Sequence, residues 1–146
     1  MLIAPWKQLA KPDASKEYLA IVTYLPVKHY RTVPSVAKYS QQVDAQLAGT
    51  PGLVRYSMGS KPWTKEFCSM SVWEDEAALM AFVFGCAHKD TVARLHTDMG
   101  ATKFARWKVL GTDVPLTWEV ALEKADSIDV GNGIYSGHSS SSLYCE

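Results

Sequence analysis

Residues Glu17 to Leu25 read EYLAIVTYL, and this stretch decides the fold. β-Branched and aromatic side chains crowd it, which suits a strand. Its two alternating sets, Leu19/Ile21/Thr23/Leu25 and Tyr18/Ala20/Val22/Tyr24, are both largely apolar. A strand of that kind is covered on both sides.

Working outward, Pro26 and the basic stretch Lys28-His29-Tyr30-Arg31 form a loop. Pro34 and Ser35 stand where a helix starts, and Val36, Tyr39, Val43 and Leu47 follow at helical spacing. Gly49-Thr50-Pro51-Gly52 stops that helix. Two strands come next, Leu53 to Gly59 and Thr64 to Trp73, and the short Ser60-Lys61-Pro62 connection makes them an antiparallel hairpin. Glu74-Asp75-Glu76 puts negative charge at the start of a helix, complementing its dipole. That helix carries Leu79, Phe82, Val83 and Cys86 on one stripe and Met80, Phe84 and His88 on the next. Gly85 weakens it, and a second helical segment runs from His88 to Met99. A fourth strand spans Thr102 to Leu110, and a final amphipathic helix spans Thr117 to Ala125 after Pro115.

The order is β-α-β-β-α-β plus a C-terminal helix. This is an α+β chain of the ferredoxin-like, split βαβ kind, with a four-stranded antiparallel sheet and helices on one face. Strands apolar on both faces then need cover on the second face. The same face of a second copy supplies it, so a homodimer is expected. Residues 1–16 read as an N-terminal leader and 17–125 as the domain. Residues 126–146, with a Gly131-Asn132-Gly133 turn and a Ser139 to Ser142 run, read as a mobile extension.

Composition narrows the class. The chain has 146 residues, 47% hydrophobic and 21% charged, which is ordinary for one globular domain. Fifteen basic side chains balance fifteen acidic ones, so no cationic surplus points to nucleic acid or to an anionic membrane surface. The longest apolar runs, such as Ala77 to Phe84, fall short of the roughly 20 residues of a membrane span. Met1 to Trp6 lacks the basic region and long apolar stretch of a signal peptide. Three cysteines give no disulfide framework, and a cytoplasmic chain with free thiols is expected.

No phosphate-binding glycine loop, dinucleotide fingerprint, zinc helix or nucleophile elbow is present. Cys68, Cys86 and His88 lack the partners of a tetrahedral zinc site. His88 falls one turn after Phe84 and one turn before Val92. Such an imidazole is either a haem iron ligand in an apolar pocket, a general base, or a helix-end histidine bonded to a backbone carbonyl. His96 reads as a helix-end group favoured by the C-terminal dipole, and His29 and His138 have no evident partners. Arg106, mid-strand between Ala105 and Trp107, either pairs with a carboxylate or anionic ligand or is solvated at a sheet edge. Trp73 either caps the core or walls a cavity for a flat ligand. Trp73, Phe82, His88, Phe104 and Arg106 together describe a small-molecule pocket and equally an ordinary core.

Ser71-Val72-Trp73-Glu74 through Phe82, then His88, then Phe104-Ala105-Arg106-Trp107, resemble the core of spheroidene (carotenoid) monooxygenases. The likeness runs from Phe67 to Leu110. More broadly the chain resembles the dimeric α+β barrel superfamily, which includes antibiotic-biosynthesis and haem-degrading monooxygenases. That resemblance implies a ferredoxin-like subunit whose sheet packs on a dimer mate, His88 as haem and metal ligand, and Trp73, Phe82 and Arg106 as pocket residues; Phe82 and Phe104 are expected to bind the cofactor with His88, and Trp73 and Arg106 to be catalytic. It departs from the carotenoid enzymes in its shorter length, its polar Lys89-Asp90-Thr91 segment and Trp107 in place of their phenylalanine. The Asn that haem-degrading members carry near the first strand is missing from Glu17 to Leu25.

Three functions therefore stand as expectations. One is a haem-containing oxygenase that oxidises a small apolar or polycyclic substrate, with Arg106 on a propionate or an anionic substrate group. The second is a cofactor-free oxygenase of the same fold. The third is a non-catalytic ligand-binding or stress-related protein.

Overall fold

Strand β3, Glu17–Pro26, lies between two partners in an antiparallel sheet. The computed structural model describes residues 1–113 and 117–126, with backbone alone at 86–88, 90–91 and 124–126. Two short strands, β1 (Leu2–Ile3) and β2 (Lys7–Gln8), precede β3. After it come α1 (Val33–Ala48), β4 (Leu53–Lys61), β5 (Glu66–Trp73), α2 (Glu76–Val83), α3 (Cys86–Leu95), β6 (Lys103–Leu110) and α4 (Trp118–Asp126). The long strands lie in the order β4-β5-β3-β6, all antiparallel, with β1 and β2 both paired to β4. This is the ferredoxin-like α+β arrangement that the element order predicts.

Local chemistry sets the boundaries. Pro34 occupies the first turn of α1, where its missing N–H costs nothing. Asp75 caps α2 by accepting from the Ala78 N–H at 2.8 Å. The β4–β5 hairpin turns later than the sequence suggests: β4 runs on through Lys61, and Pro62–Thr64 form a short 3-10 turn. Pro62 cannot donate to the ladder, and Lys65 closes the turn in the left-handed region at φ 62°.

Register assigns each side chain to a face. One face carries Ile21, Tyr56 and Trp73, packed against Leu47 of α1 and Leu79 and Phe82 of α2. The other carries Tyr18, Ala20, Val22, Met70 and Val72. That second face is not left for another molecule to cover. Trp118, Ala121 and Leu122 of α4 lie on it, joined by Met1 and Trp6 of the N-terminal segment. The two-sided strands therefore do not by themselves call for a second copy. A bulge between Leu53 and Arg55 turns Arg55 toward this side as well, where its guanidinium stacks on Trp6 at 4.6 Å. The first sixteen residues thus contribute sheet pairing and core contact, while the extension at 127–146 lies outside the described residues.

Candidate functional site

Between the helix-facing side of the sheet and the helices lies a cavity of about 580 Å³, within the roughly 300–1,000 Å³ of small-molecule sites. Val36, Val43 and Leu47 of α1 form one wall, and Leu79, Phe82 and Leu95 form another. Leu2 and Ile3, both exposed, meet it at the sheet edge. The floor is the sheet itself, where Thr23, Ser60, Ser69, Ser71 and Tyr56 are among the polar residues that interrupt a largely apolar surface. Thr23 pairs with Ser69, and Ser71 with Tyr56, so the hydroxyls are cross-strand neighbours. Among the described residues no Asp, Glu, Lys, Arg or His lines the cavity.

The residues singled out by sequence separate. Phe82 lines the cavity and packs its ring on Trp73, centroids 5.4 Å apart. Trp73 is fully buried outside the lining and touches the cavity through Ser71, whose Oγ accepts its indole N–H at 2.8 Å. Phe104 is buried opposite Thr23 on β6, away from the lining. Arg106 shares the face of Ile21 but reaches outward from the edge strand, pairing with Glu76 Oε1 at 2.9 Å with much of its side chain exposed. His88 lies in α3, one turn before the cavity-lining Val92, and its side chain is outside the described residues. His96 ends α3, with Nδ1 2.9 Å from the Ala93 carbonyl oxygen, in keeping with a helix-end role.

Haem would bring two carboxylates, which need cationic or donor partners. The described lining offers hydroxyls and no cation, and Arg106 is engaged outside it. In this respect the described residues do not fit the group. They also contain no cluster of three or more His, Cys, Asp or Glu suited to a metal ion.

Charge gathers at one end of the floor instead. Tyr56 Oη donates to Asp44 Oδ1 at 2.7 Å, and Lys7 Nζ donates to both carboxylate oxygens at 2.8 and 2.7 Å. Burial raises the Tyr56 pKa, and the Asp44 carboxylate adds to it. For Asp44, burial acts upward, but the bonds from Lys7 and Tyr56 outweigh it and hold the carboxyl below its ordinary value. The Lys7 pKa is raised, chiefly by the bond to Asp44. This line ties the N-terminal segment and α1 to the sheet. Cys68 points to the other face, where burial pushes its thiol up to about 11, so it is protonated and unreactive at neutral pH.

Sequence reasoning passed over the hydroxyls. The available signal was the alternation Ser69, Ser71, Trp73 along β5, which puts two small polar groups on the face that also bears a buried indole.

Residues 29–132 match the family described as Domain of unknown function (DUF3291). The chain belongs to that family. No curated protein matches the DUF3291 chain significantly. Among solved structures, it is similar to a Fusobacterium nucleatum protein described as a "putative monooxygenase". The TM-score is 0.64 at 17% identity, covering 75% of this chain and 49% of the other. The chain thus spans about half the length of that relative. A mutant form of SnoaB from Streptomyces nogalater, described as a cofactor-independent oxygenase, aligns with a TM-score of 0.51 at 14% identity, covering 62% of this chain and 90% of the other. A dimeric ferredoxin-like protein of unknown function from Thermobifida fusca aligns with a TM-score of 0.54 at 12% identity, covering 64% and 92%. These likenesses establish a ferredoxin-like fold of the kind found in monooxygenase-like proteins. The resemblance to spheroidene monooxygenases is not shown by them. Among the described residues, no helix is long and apolar enough to cross a membrane.

Proposed function

We propose that the DUF3291 chain binds a small, mainly apolar molecule between sheet and helices and oxidises it in the manner of a cofactor-free oxygenase. The observation that carries this reading is the cavity of about 580 Å³ lined by apolar side chains and neutral hydroxyls. An uncharged, mainly apolar site favours neutral ligands, because an ion entering it gives up hydration without gaining a counter-charge. The fold shared with a protein described as a cofactor-independent oxygenase supports the chemical half. In such chemistry an electron-rich substrate itself supplies the electrons to oxygen. Phe82 packs against the ligand, Trp73 acts from behind the floor, and Phe104 stands beside Thr23 on the same side of the sheet.

Oxygen uptake with an electron-rich phenol, 1,5-dihydroxynaphthalene, tests it. Protein-dependent uptake that is lost in Ser69→Phe, which fills the cavity, is the expected result. Saturable binding with no uptake would replace the oxygenase with a binding protein.

Haem ligation by His88 is the second reading, favoured by the position of His88 one turn before the cavity-lining Val92. A hemin titration decides it. A one-per-subunit Soret shift lost in His88→Ala supports ligation, and no shift in either protein rejects it. We also infer a homodimer, supported by the fold shared with a protein described as dimeric; light scattering at a monomer mass would reject it.

A further inference from the structure

The polar floor of the cavity has a direction. Tryptophan's indole N–H only donates, whereas a serine hydroxyl has one proton to give and lone pairs to accept with. The Trp73 N–H occupies an acceptor site on Ser71 Oγ at 2.8 Å, which leaves the Ser71 proton for another partner. Trp73 is fully buried and held against Phe82, so this arrangement is fixed by packing. Beside it, Thr23 is more than nine-tenths buried and lines the same cavity. Among the described residues no hydrogen bond engages the side-chain hydroxyls of Thr23 or its cross-strand neighbour Ser69. Both residues line the cavity, so their hydroxyls are open to whatever occupies it.

We propose that Ser71, oriented by Trp73 and flanked by Thr23 and Ser69, is the hydrogen-bond donor that receives the carbonyl oxygen of a neutral, otherwise apolar ligand. The inference rests on the cavity reading above and adds the ligand's functional group. Trp73 is then a positioning residue that acts through Ser71. A ligand carboxylate would find donors here and an ammonium would find hydroxyl acceptors, but neither would meet a counter-charge among the described lining residues.

A matched pair of probes tests the donor: 2-acetylnaphthalene, which carries a ketone, and 2-ethylnaphthalene, which is close in shape and has none. Affinities are measured by calorimetry for the wild-type chain, Ser71→Ala and Trp73→Phe. The infrared stretch of the bound ketone, labelled with carbon-13 at the carbonyl, is recorded in each. The ratio of ketone to hydrocarbon affinity is expected to fall about fivefold in Ser71→Ala, the scale of one neutral hydrogen bond, with hydrocarbon affinity unchanged. The carbonyl stretch, lowered in the wild type, should rise in Ser71→Ala and, by less, in Trp73→Phe.

If both probes bind and neither ratio nor stretch changes in Ser71→Ala, the donor assignment is overturned while the cavity reading stands. If neither probe binds the wild-type chain, the cavity reading itself falls and the donor with it. A stretch altered in Ser71→Ala but unchanged in Trp73→Phe overturns the part given to Trp73. Should Trp73→Phe not fold, the stretches in the wild type and Ser71→Ala settle the donor alone.

Discussion

The indole N–H of Trp118 donates to Ser57 Oγ at 3.2 Å, and Ser57 passes its own proton to the Ala4 carbonyl at 2.8 Å. One buried serine on β4 thereby bonds to both pieces of chain that cover the second face of the sheet, the helix α4 and the N-terminal segment. Ser57→Ala leaves a buried indole N–H and a backbone carbonyl without their partner. The expected loss is about 1–3 kcal/mol, the cost of unsatisfied buried polar groups. Urea unfolding measures it. A loss under about 0.5 kcal/mol would mean that water replaces the hydroxyl on both sides.

Asp44 makes the stability of the N-terminal attachment depend on pH. Its carboxyl is held below the ordinary 3.8 in the folded chain, so its contribution is complete above that value and disappears as pH falls through the folded value. Lys7 is the mirror case. Its folded pKa is raised above 10.5, and its contribution is complete below that and lost as pH rises through the folded value. Asp44→Asn should therefore melt lower than the wild type at neutral pH, by the equivalent of about 0.2–1 kcal/mol for a largely solvated pair. The gap should close at both the acid and the alkaline end. Scanning calorimetry across pH reads it, and a gap that stays constant into acid would show that charge on Asp44 is irrelevant.

Gly52 is required twice over. Its φ is +82°, and a Cβ there would sit 2.4 Å from Ala78 Cβ on α2. Gly52→Ala should cost about 1–2 kcal/mol from the left-handed backbone alone, and more from the clash. Adding Ala78→Gly removes the second part and leaves the first. The double variant should thus be more stable than Gly52→Ala, although Ala78→Gly by itself weakens a helix by about 1 kcal/mol. Chemical denaturation of all three variants tests this, and purely additive losses would refute the clash.

The residues that were legible in sequence are those whose own pattern carries the information. EYLAIVTYL announces a strand covered on both faces, and Val36, Val43 and Leu47 announce the helix that walls the cavity. What covers the second face could not be read. Leu2–Ile3 and Lys7–Gln8 are two residues each and exposed, and they pair through backbone groups that leave no mark on side-chain pattern. The amphipathic helix near the C-terminus was legible, but the face it packs on depends on how the chain returns in space. In the site, Phe82 was legible as apolar and aromatic. Ser69 and Ser71 were not, because a serine on a strand gains meaning only once its neighbours and the empty space before it are known.

Arg106 shows how a reading left open by sequence resolves. It stands between two buried-side neighbours on β6 and shares a face with Ile21, which would suit a pocket cation. Yet β6 is the edge strand, and a long side chain at an edge can reach past the core to Glu76 at the start of α2. Both partners are solvated, and pairs of this kind contribute about 0–1 kcal/mol. Arg106→Ala should therefore change stability by less than about 1 kcal/mol and leave the affinity for 2-ethylnaphthalene and 2-acetylnaphthalene unaltered. Loss of probe binding in Arg106→Ala, with the fold intact by circular dichroism, would bring the arginine back to the cavity and restore an anionic ligand to consideration. The contrast with Ser71→Ala is the informative one, because two residues on the same sheet face are expected to behave oppositely: the charged one silent and the neutral one selective.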